Sequence, residues 1–428
     1  VRWLVFGSYD VRRHPRVGVL VEGLRAAGDE VDEVNVPLPL DTAGRIAMLR
    51  QPWRLPVLVG QLARCWALLV RRTRPYRRGA VEPVPGDGGI RGPVDAVLVG
   101  YLGHFDVHLA RRLFRDTPIV LDHLVSAAGT ARDRRLAADG GLRGRLLRAI
   151  DTGALRQADT VLVDTAEHLA GLPAPDRDRA VVVPVGAGVE WFAAGARTAR
   201  CRWPGAAGGA DSPAPSTGPG TPGGSTARPR LRVVFVGLFT PLHGTRTLGA
   251  ALAELATERT IEVTVVGTGQ DYSDCRRLAA GNPAVTWYDW VPANGLPALV
   301  ARHDVSLGIF GETEKARQVV PTKVYQGAAA GCAIVTSDTA PQRNALGDAA
   351  LFVPPGDAAA LADALRELAA DPDRLARLRR AARRRAVERF WPAIVVEPIR
   401  HRVSATVPPQ AVGPVSETGQ AGCRSRPA

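Results

Sequence analysis

The chain has 428 residues, 46% of them apolar, with a formal charge of +13 and a sequence pI near 10.4. That length allows two or three domains with buried cores, and the charge points to phosphorylated ligands, an anionic membrane surface or nucleic acid. No RNP signature, zinc-finger spacing or recognition-helix pattern accompanies the arginines, which speaks against nucleic acid. The five cysteines (Cys65, Cys201, Cys275, Cys332, Cys423) have neither CxxC nor Cys/His spacing, which excludes a zinc framework and fits a reducing compartment.

Residues 1–10, VRWLVFGSYD, read as an apolar strand running into Gly7 and Ser8. A helical pattern follows, then a strand over 31–36, so the chain opens as a βαβ unit. Its first turn carries Arg12, Arg13, His14 and Arg16, a solvated loop or a ligand-facing one. No apolar run approaches about 18 residues and the chain begins in a strand. A cytoplasmic protein without a leader peptide is therefore expected. Residues 45–78 hold nine arginines and no carboxylate, interleaved with Trp53, Leu55, Val57, Leu58, Val59, Leu62, Trp66, Leu68, Leu69 and Val70. The pattern describes an amphipathic helix, either packed on the sheet or lying on anionic lipid as a peripheral membrane contact at the inner face. A Pro/Gly-rich loop spans 82–92.

Strands are expected at 96–100, 118–122, 160–164 and 180–184, with helices between them, the alternation of a parallel doubly wound sheet. Polar groups sit where those strands end: His104 and Asp106, Asp122 and His123, Asp164 and Thr165. Ligands bind at such ends, so these side chains are candidates for chemistry. Residues 204–229 are Gly/Pro/Ser/Ala-rich and read as a flexible linker. The alternation then restarts, with strands expected at 231–237, 261–267, 284–290, 304–310, 332–338 and 349–355. A long arginine-rich helix covers 371–390, and 408–428 reads as a disordered tail. The expected division is a first domain over 1–195, a linker over 196–230, a second domain over 231–400 and a tail over 401–428.

There is no GxSxG elbow, Walker A loop or HExxH motif. Gly267-Thr268-Gly269 ends a strand, but Tyr272 stands where a dinucleotide fingerprint needs its third glycine. Asp176-Arg177-Asp178 has the spacing of a metal-binding pair within a charged turn, a context that argues against a metal. The chain writes 53 of its 55 basic residues as arginine, and both lysines, Lys315 and Lys323, fall in GIFGETEKARQVVPTKVYQGAAAG, residues 308–331. Lysine is a compact point charge suited to phosphate, and this segment runs from a strand end into a helix start, a place suited to anions. Arg246, Lys315, Arg317 and Lys323 are the cations available there.

Several motifs in the second half resemble the nucleotide-sugar-binding half of GT-B glycosyltransferases of the retaining family 4 type. They are VFVGLFTPLHG (234–244), VVGTGQDY (265–272), the run from Lys315 to Lys323, KVYQGAAAG (323–331), IVTSDTAPQRNAL (334–346) and LFVPPGD (351–357). In the first half, VVVPVGAGVEWF (181–192) is similar to the segment leading into that family's interdomain crossing. The resemblance implies an α/β chain of two Rossmann-like doubly wound parallel-sheet domains facing a cleft. It implies transfer of a sugar from a nucleotide-diphosphate sugar to an acceptor hydroxyl, with retention and without metal or cofactor. The acceptor would be a sugar, a small molecule or a lipid-linked group bound by the first domain. Donor-binding positions would be Gly237, His243, Gly244, Gly267, Gly269, Lys315, Arg317, Pro321, Lys323, Val324 and Gln326. Asp122, His123, His104 and Asp106 are the candidates near the reacting sugar.

The chain departs from the family pattern in the residues that would hold the donor. Gln326 and Gln318 stand where a pair of glutamates is usual, and Leu238 and His243 where many relatives carry Arg and Lys. The cationic role is therefore expected to fall on Lys315, Arg317 and Lys323. Two rival readings share the architecture, a nucleotide-sugar 2-epimerase and a non-catalytic nucleotide-sugar-binding partner.

Overall fold

The computed structural model describes residues 1–11, 14–38, 53, 55–77, 82–83, 90–101, 103–124, 126–134, 141–202 and 230–406. Arg12, Arg13, the 204–229 linker, most of the 82–92 loop and the 408–428 segment lie outside them. Two six-stranded sheets form two Rossmann-like domains. The first contains β1 (Arg2–Gly7), β2 (Glu30–Asn35), β5 (Ala96–Val99), β6 (Ile119–Asp122), β7 (Thr160–Val163) and β8 (Ala180–Val182), in the order β2-β1-β5-β6-β7-β8. A short antiparallel pair, β3 (Glu82–Pro83) and β4 (Ile90–Arg91), stands apart from it. The second contains β9 (Leu231–Val236), β10 (Ile261–Val266), β11 (Val285–Tyr288), β12 (Val305–Leu307), β13 (Ala333–Ser337) and β14 (Ala350–Val353), in the order β11-β10-β9-β12-β13-β14. Every neighbouring pair within both sheets is parallel.

The strand sequences explain this burial. AVLV, IVLD and TVLV are buried at every position, as a parallel sheet covered on both faces requires. Alternate residues feed separate cores. Val233 and Phe235 face the helices Thr245–Glu254 and Ala358–Ala370, while Val234 faces Tyr325, Ala328 and Ala382 on the opposite side. In the second sheet the strand order reverses between β9 and β12, which opens a crevice at their carboxyl ends.

The strands match the expected ones within a residue or two, except that β12 ends three residues before the expected 310, and the assignment of helices to domains differs from the expected boundaries at 195 and 400. The helix Val189–Arg202 packs through Trp191, Phe192 and Ala194 on the second domain's core. The helices Pro392–Val395 and Glu397–Ser404 return to the first, where Val395, Val396, Ile399 and Val403 join Trp3, Val5, Val17 and Leu20. Gly23 permits that return, since a side chain there would strike the Pro392 carbonyl. The two halves thus exchange terminal helices. Periodicity marks an apolar face but not the core that receives it.

Candidate active site

At the β9–β12 crevice the second domain builds a cationic pocket. The helix Thr322–Ala329 starts after Pro321 without a side-chain cap, and Lys323 lies in its first turn. The Lys323 side chain points inward, 8% exposed, with Nζ 3.6 Å above the centre of the Phe235 ring. It has no hydrogen-bond partner among the described residues. A Cβ on Gly237 would come within 2.7 Å of that Nζ, so glycine at 237 makes room for the ammonium. Burial alone holds the Lys323 pKa well below its ordinary value. His243 sits alongside, its Nδ1 2.9 Å from Thr240 Oγ1. Burial, followed by the charges of Lys323, Arg134 and Lys315, pushes its imidazole well below the usual range. Gathered positive charge without an anion is an arrangement ready to accept one.

The other donor candidates divide. Gln326 follows Lys323 by one turn on the same helix face and is half-buried. Val324 is buried in the core, and Arg317 is exposed. Arg246 is also exposed and pairs with Asp274 at 3.4 Å. Gly244 has φ +61, and a Cβ there would strike the backbone of Phe310 and Gly311. Gly267 (φ +127) meets the Gly237 carbonyl in the same way, and Gly269 the Phe239 backbone. These glycines let the three loops that form the pocket floor pack against one another.

The first domain contributes a cavity of about 570 Å³ beneath the 313–318 loop, lined among others by His123, Asp151, Glu167, His168, Lys315 and Gln318. His123 is buried, with Nδ1 unpartnered among the described residues. Burial, with some help from His104, lowers its pKa to about 4, so it is neutral at physiological pH. His104 lies edge-on to it at 5.4 Å, with Nε2 3.0 Å from Asp151 Oδ1. Asp151 also accepts from Ser126 Oγ and the amides of Ala127 and Ala128. Burial alone would raise this carboxyl, but the adjacent His104 imidazole and the hydrogen bonds from Ala127 and Ser126 hold it below the usual range. Glu167 Oε2 is buried without a partner among the described residues. Neither Asp151 nor Glu167 is an expected site residue: Asp151 lies within the helix Leu142–Leu155 and Glu167 in the first turn of Ala166–Gly171. No motif marks them.

Two expected carboxylates are spent elsewhere. Asp122 is 2% exposed and accepts from Arg16 Nε at 2.7 Å, while Arg16 Nη1 donates to the carbonyls of Val183 and Pro184. Asp106 accepts from the amide and hydroxyl of Ser8 and from Trp66 Nε1. Both tie elements of the first domain together and neither lines the cavity. Asp164 meets His168 Nδ1 at 2.5 Å, and Thr165 caps the helix Ala166–Gly171. Asp176 is buried and pairs with Arg179. Among the described residues no group of three or more His, Cys, Asp or Glu is placed to hold a metal ion.

The 313–318 loop joins the two halves of the site. Thr313 Oγ1 donates to Asp133 at 2.7 Å, Lys315 Nζ to Thr130 Oγ1 at 3.0 Å, and Glu314 pairs with Arg132 at 3.1 Å. Thr165 Oγ1 donates to the Gln318 carbonyl. Lys315 therefore reaches across the cleft to Thr130, while its charge is still felt at His243 beside Lys323. Burial lowers its pKa, partly offset by Asp133.

Comparison with known proteins agrees with this architecture. Residues 230–371 match the family model of glycosyl transferases group 1. No curated protein matches the chain. Among solved structures, sucrose-phosphate synthase from Thermosynechococcus elongatus superposes with a TM-score of 0.62 at 16% identity, covering 95% of this chain and 99% of that one. Anabaena HepE in complex with UDP-glucose gives 0.60 at 13% identity, covering 94% and 99%. The α,α-trehalose 6-phosphate synthase of Burkholderia multivorans gives 0.57 at 14%, covering 95% and 98%. Residues 230–371 thus match the group 1 glycosyl transferase model, and the two parallel-sheet domains share the fold of these solved structures.

Proposed function

We propose that this chain transfers a sugar from a nucleoside-diphosphate sugar to an acceptor hydroxyl, with retention and without a bound metal. The observation that carries the reading is the buried, unpartnered ammonium of Lys323 against Gly237 at the strand-order reversal of the second sheet. In such a transfer negative charge grows on the leaving diphosphate as the glycosidic bond breaks. A cation already stripped of water and fixed in place stabilises that charge without reorganising. His243 adds a neutral imidazole beside it, and Gln326 an amide able to bond ribose hydroxyls without charge. The acceptor would occupy the cavity of the first domain, its hydroxyl near His123 and the Asp151-oriented His104. Attack from the face the diphosphate leaves needs no separate carboxylate base, which agrees with Asp106 and Asp122 being engaged in internal bonds. The epimerase reading requires acid and base groups converging on the sugar, and the uncharged Gln318 and Gln326 on the donor side weigh against it.

Purified protein offered a panel of nucleotide sugars tests the reading. One nucleoside diphosphate is expected to raise the Tm, because a ligand that binds the native state stabilises it. The corresponding sugar nucleotide should be slowly hydrolysed or transferred. Lys323→Ala is expected to abolish turnover with the circular dichroism unchanged. Unaltered turnover in that variant would remove the basis of the proposal.

A further inference from the structure

The crossover helices Leu55–Arg72 and Leu142–Leu155 share an unusual division of labour. Each is packed at its C-terminal half, through Cys65 and Leu69 in the first and Ala154 and Leu155 in the second. Each leaves apolar side chains free at its N-terminal end. Trp53, just before the first helix, is 72% exposed, and Val57 and Val59 are 57% and 63% exposed. On the second, Leu142 is 85% and Leu146 61% exposed. Arg64, Arg143, Arg145 and Arg148 are exposed among them and carry no ion pair among the described residues.

The two free ends lie on one side of the molecule. Both helices contribute to a single core on one face of the first sheet, Leu69 and Trp66 from one and Ala154 and Leu155 from the other. Between them runs the helix Asp106–Leu113, which receives the Trp66 indole hydrogen bond at Asp106 and faces Gly153 with His108. In a parallel sheet the crossover helices run against the strands, so both N-terminal ends stand at the carboxyl edge of β5, β6 and β7. The cavity opens at the same edge, and Gly144 and Arg148 of the second helix line it.

We propose that this edge of the first domain docks on an anionic bilayer, with Trp53, Val57, Val59, Leu142 and Leu146 at the acyl boundary and the arginines among the headgroups. Charge selects the occupant. Residues 45–78 contain no carboxylate, and a row of apolar tips framed by arginine suits a headgroup layer rather than water. An indole at the rim belongs at that depth. Docking would set the cavity mouth at the membrane surface. No helix among the described residues is long and apolar enough to cross a membrane, so attachment would be peripheral.

Co-sedimentation of the full chain with vesicles tests the docking independently of any turnover. The protein is expected to pellet with phosphatidylglycerol/phosphatidylcholine vesicles, to stay in solution with phosphatidylcholine alone, and to be released by salt. The double variants Val57→Gln/Val59→Gln and Leu142→Gln/Leu146→Gln should each weaken binding by about tenfold, since apolar area inserted in the bilayer is lost. Their Tm should stay at the wild-type value because the substituted side chains are exposed. Failure to bind anionic vesicles, or undiminished binding by both double variants, overturns the proposal. So does displacement from vesicles by duplex or single-stranded nucleic acid at stoichiometric concentration, which would make nucleic acid the partner.

Discussion

Among the described residues Lys323 is a buried ammonium with no anion beside it, an arrangement that lowers the stability of the unliganded protein. Its pKa is depressed by folding from 10.5. Between the folded value and 10.5 the unfolded chain therefore holds more protons, and stability rises with pH across that window. Lys323→Met, close in volume and uncharged, is expected to raise the Tm and to lower transfer by about a hundredfold or more. The Tm difference from wild type should be largest at low pH and shrink as the pH approaches 10.5. A lower Tm in the variant would mean that the ammonium has a partner in the apo protein. Asp122 presents the opposite case. Asp122→Ala leaves Arg16 charged and buried, and is expected to cost about 3–5 kcal/mol in denaturant unfolding. The lysine pair was readable from the sequence because lysine is so rare in this chain. Asp122 and Asp106 were readable as strand-end carboxylates, but whether such a group faces a cleft or is consumed by Arg16 or Trp66 is decided by tertiary contacts.

At the scale of the element, the site depends on loops that touch without side chains between them. Gly267→Ala places a methyl group into the Gly237 carbonyl at a backbone φ of +127, and both effects push on the loop that shapes the Lys323 pocket. The variant is expected to lose about 1–3 kcal/mol of stability and to bind the nucleoside diphosphate more weakly, as titration calorimetry would measure. Wild-type affinity in this variant would detach the 267–269 turn from the pocket. The strands of both sheets other than β2 (EVDEVN), which alternates apolar and polar residues, were legible from their apolar runs. The helix after Pro321 was legible from the proline at its start and Gly331 past its end. The proximity of Asp151 to His104 was not, because it joins a helix to a turn distant in sequence through a histidine that no spacing rule connects to it.

For the whole molecule, the 313–318 loop and the exchanged helices determine how the halves are coupled. The chain crosses between the domains before Val189 and again between Phe390 and Pro392. Trp391 stacks edge-on to Phe192 at 4.6 Å, so the two crossings touch. Truncation after Trp391 is expected to uncover Val17, Leu20 and Leu24 and to destabilise the first domain, with loss of hydrogen-exchange protection in β1 and β5 ahead of β9 and β12. Equal loss in both sheets would indicate that the two domains unfold as one unit.

The return of residues 392–404 to the first sheet also sets a schedule for synthesis. A ribosome delivers the strands of the first domain early, yet one face of that sheet lacks Val395, Val396, Ile399 and Val403 until all of the second domain has been made. The nascent first half must wait with that apolar face unsealed. The half that begins the chain is the last to be completed.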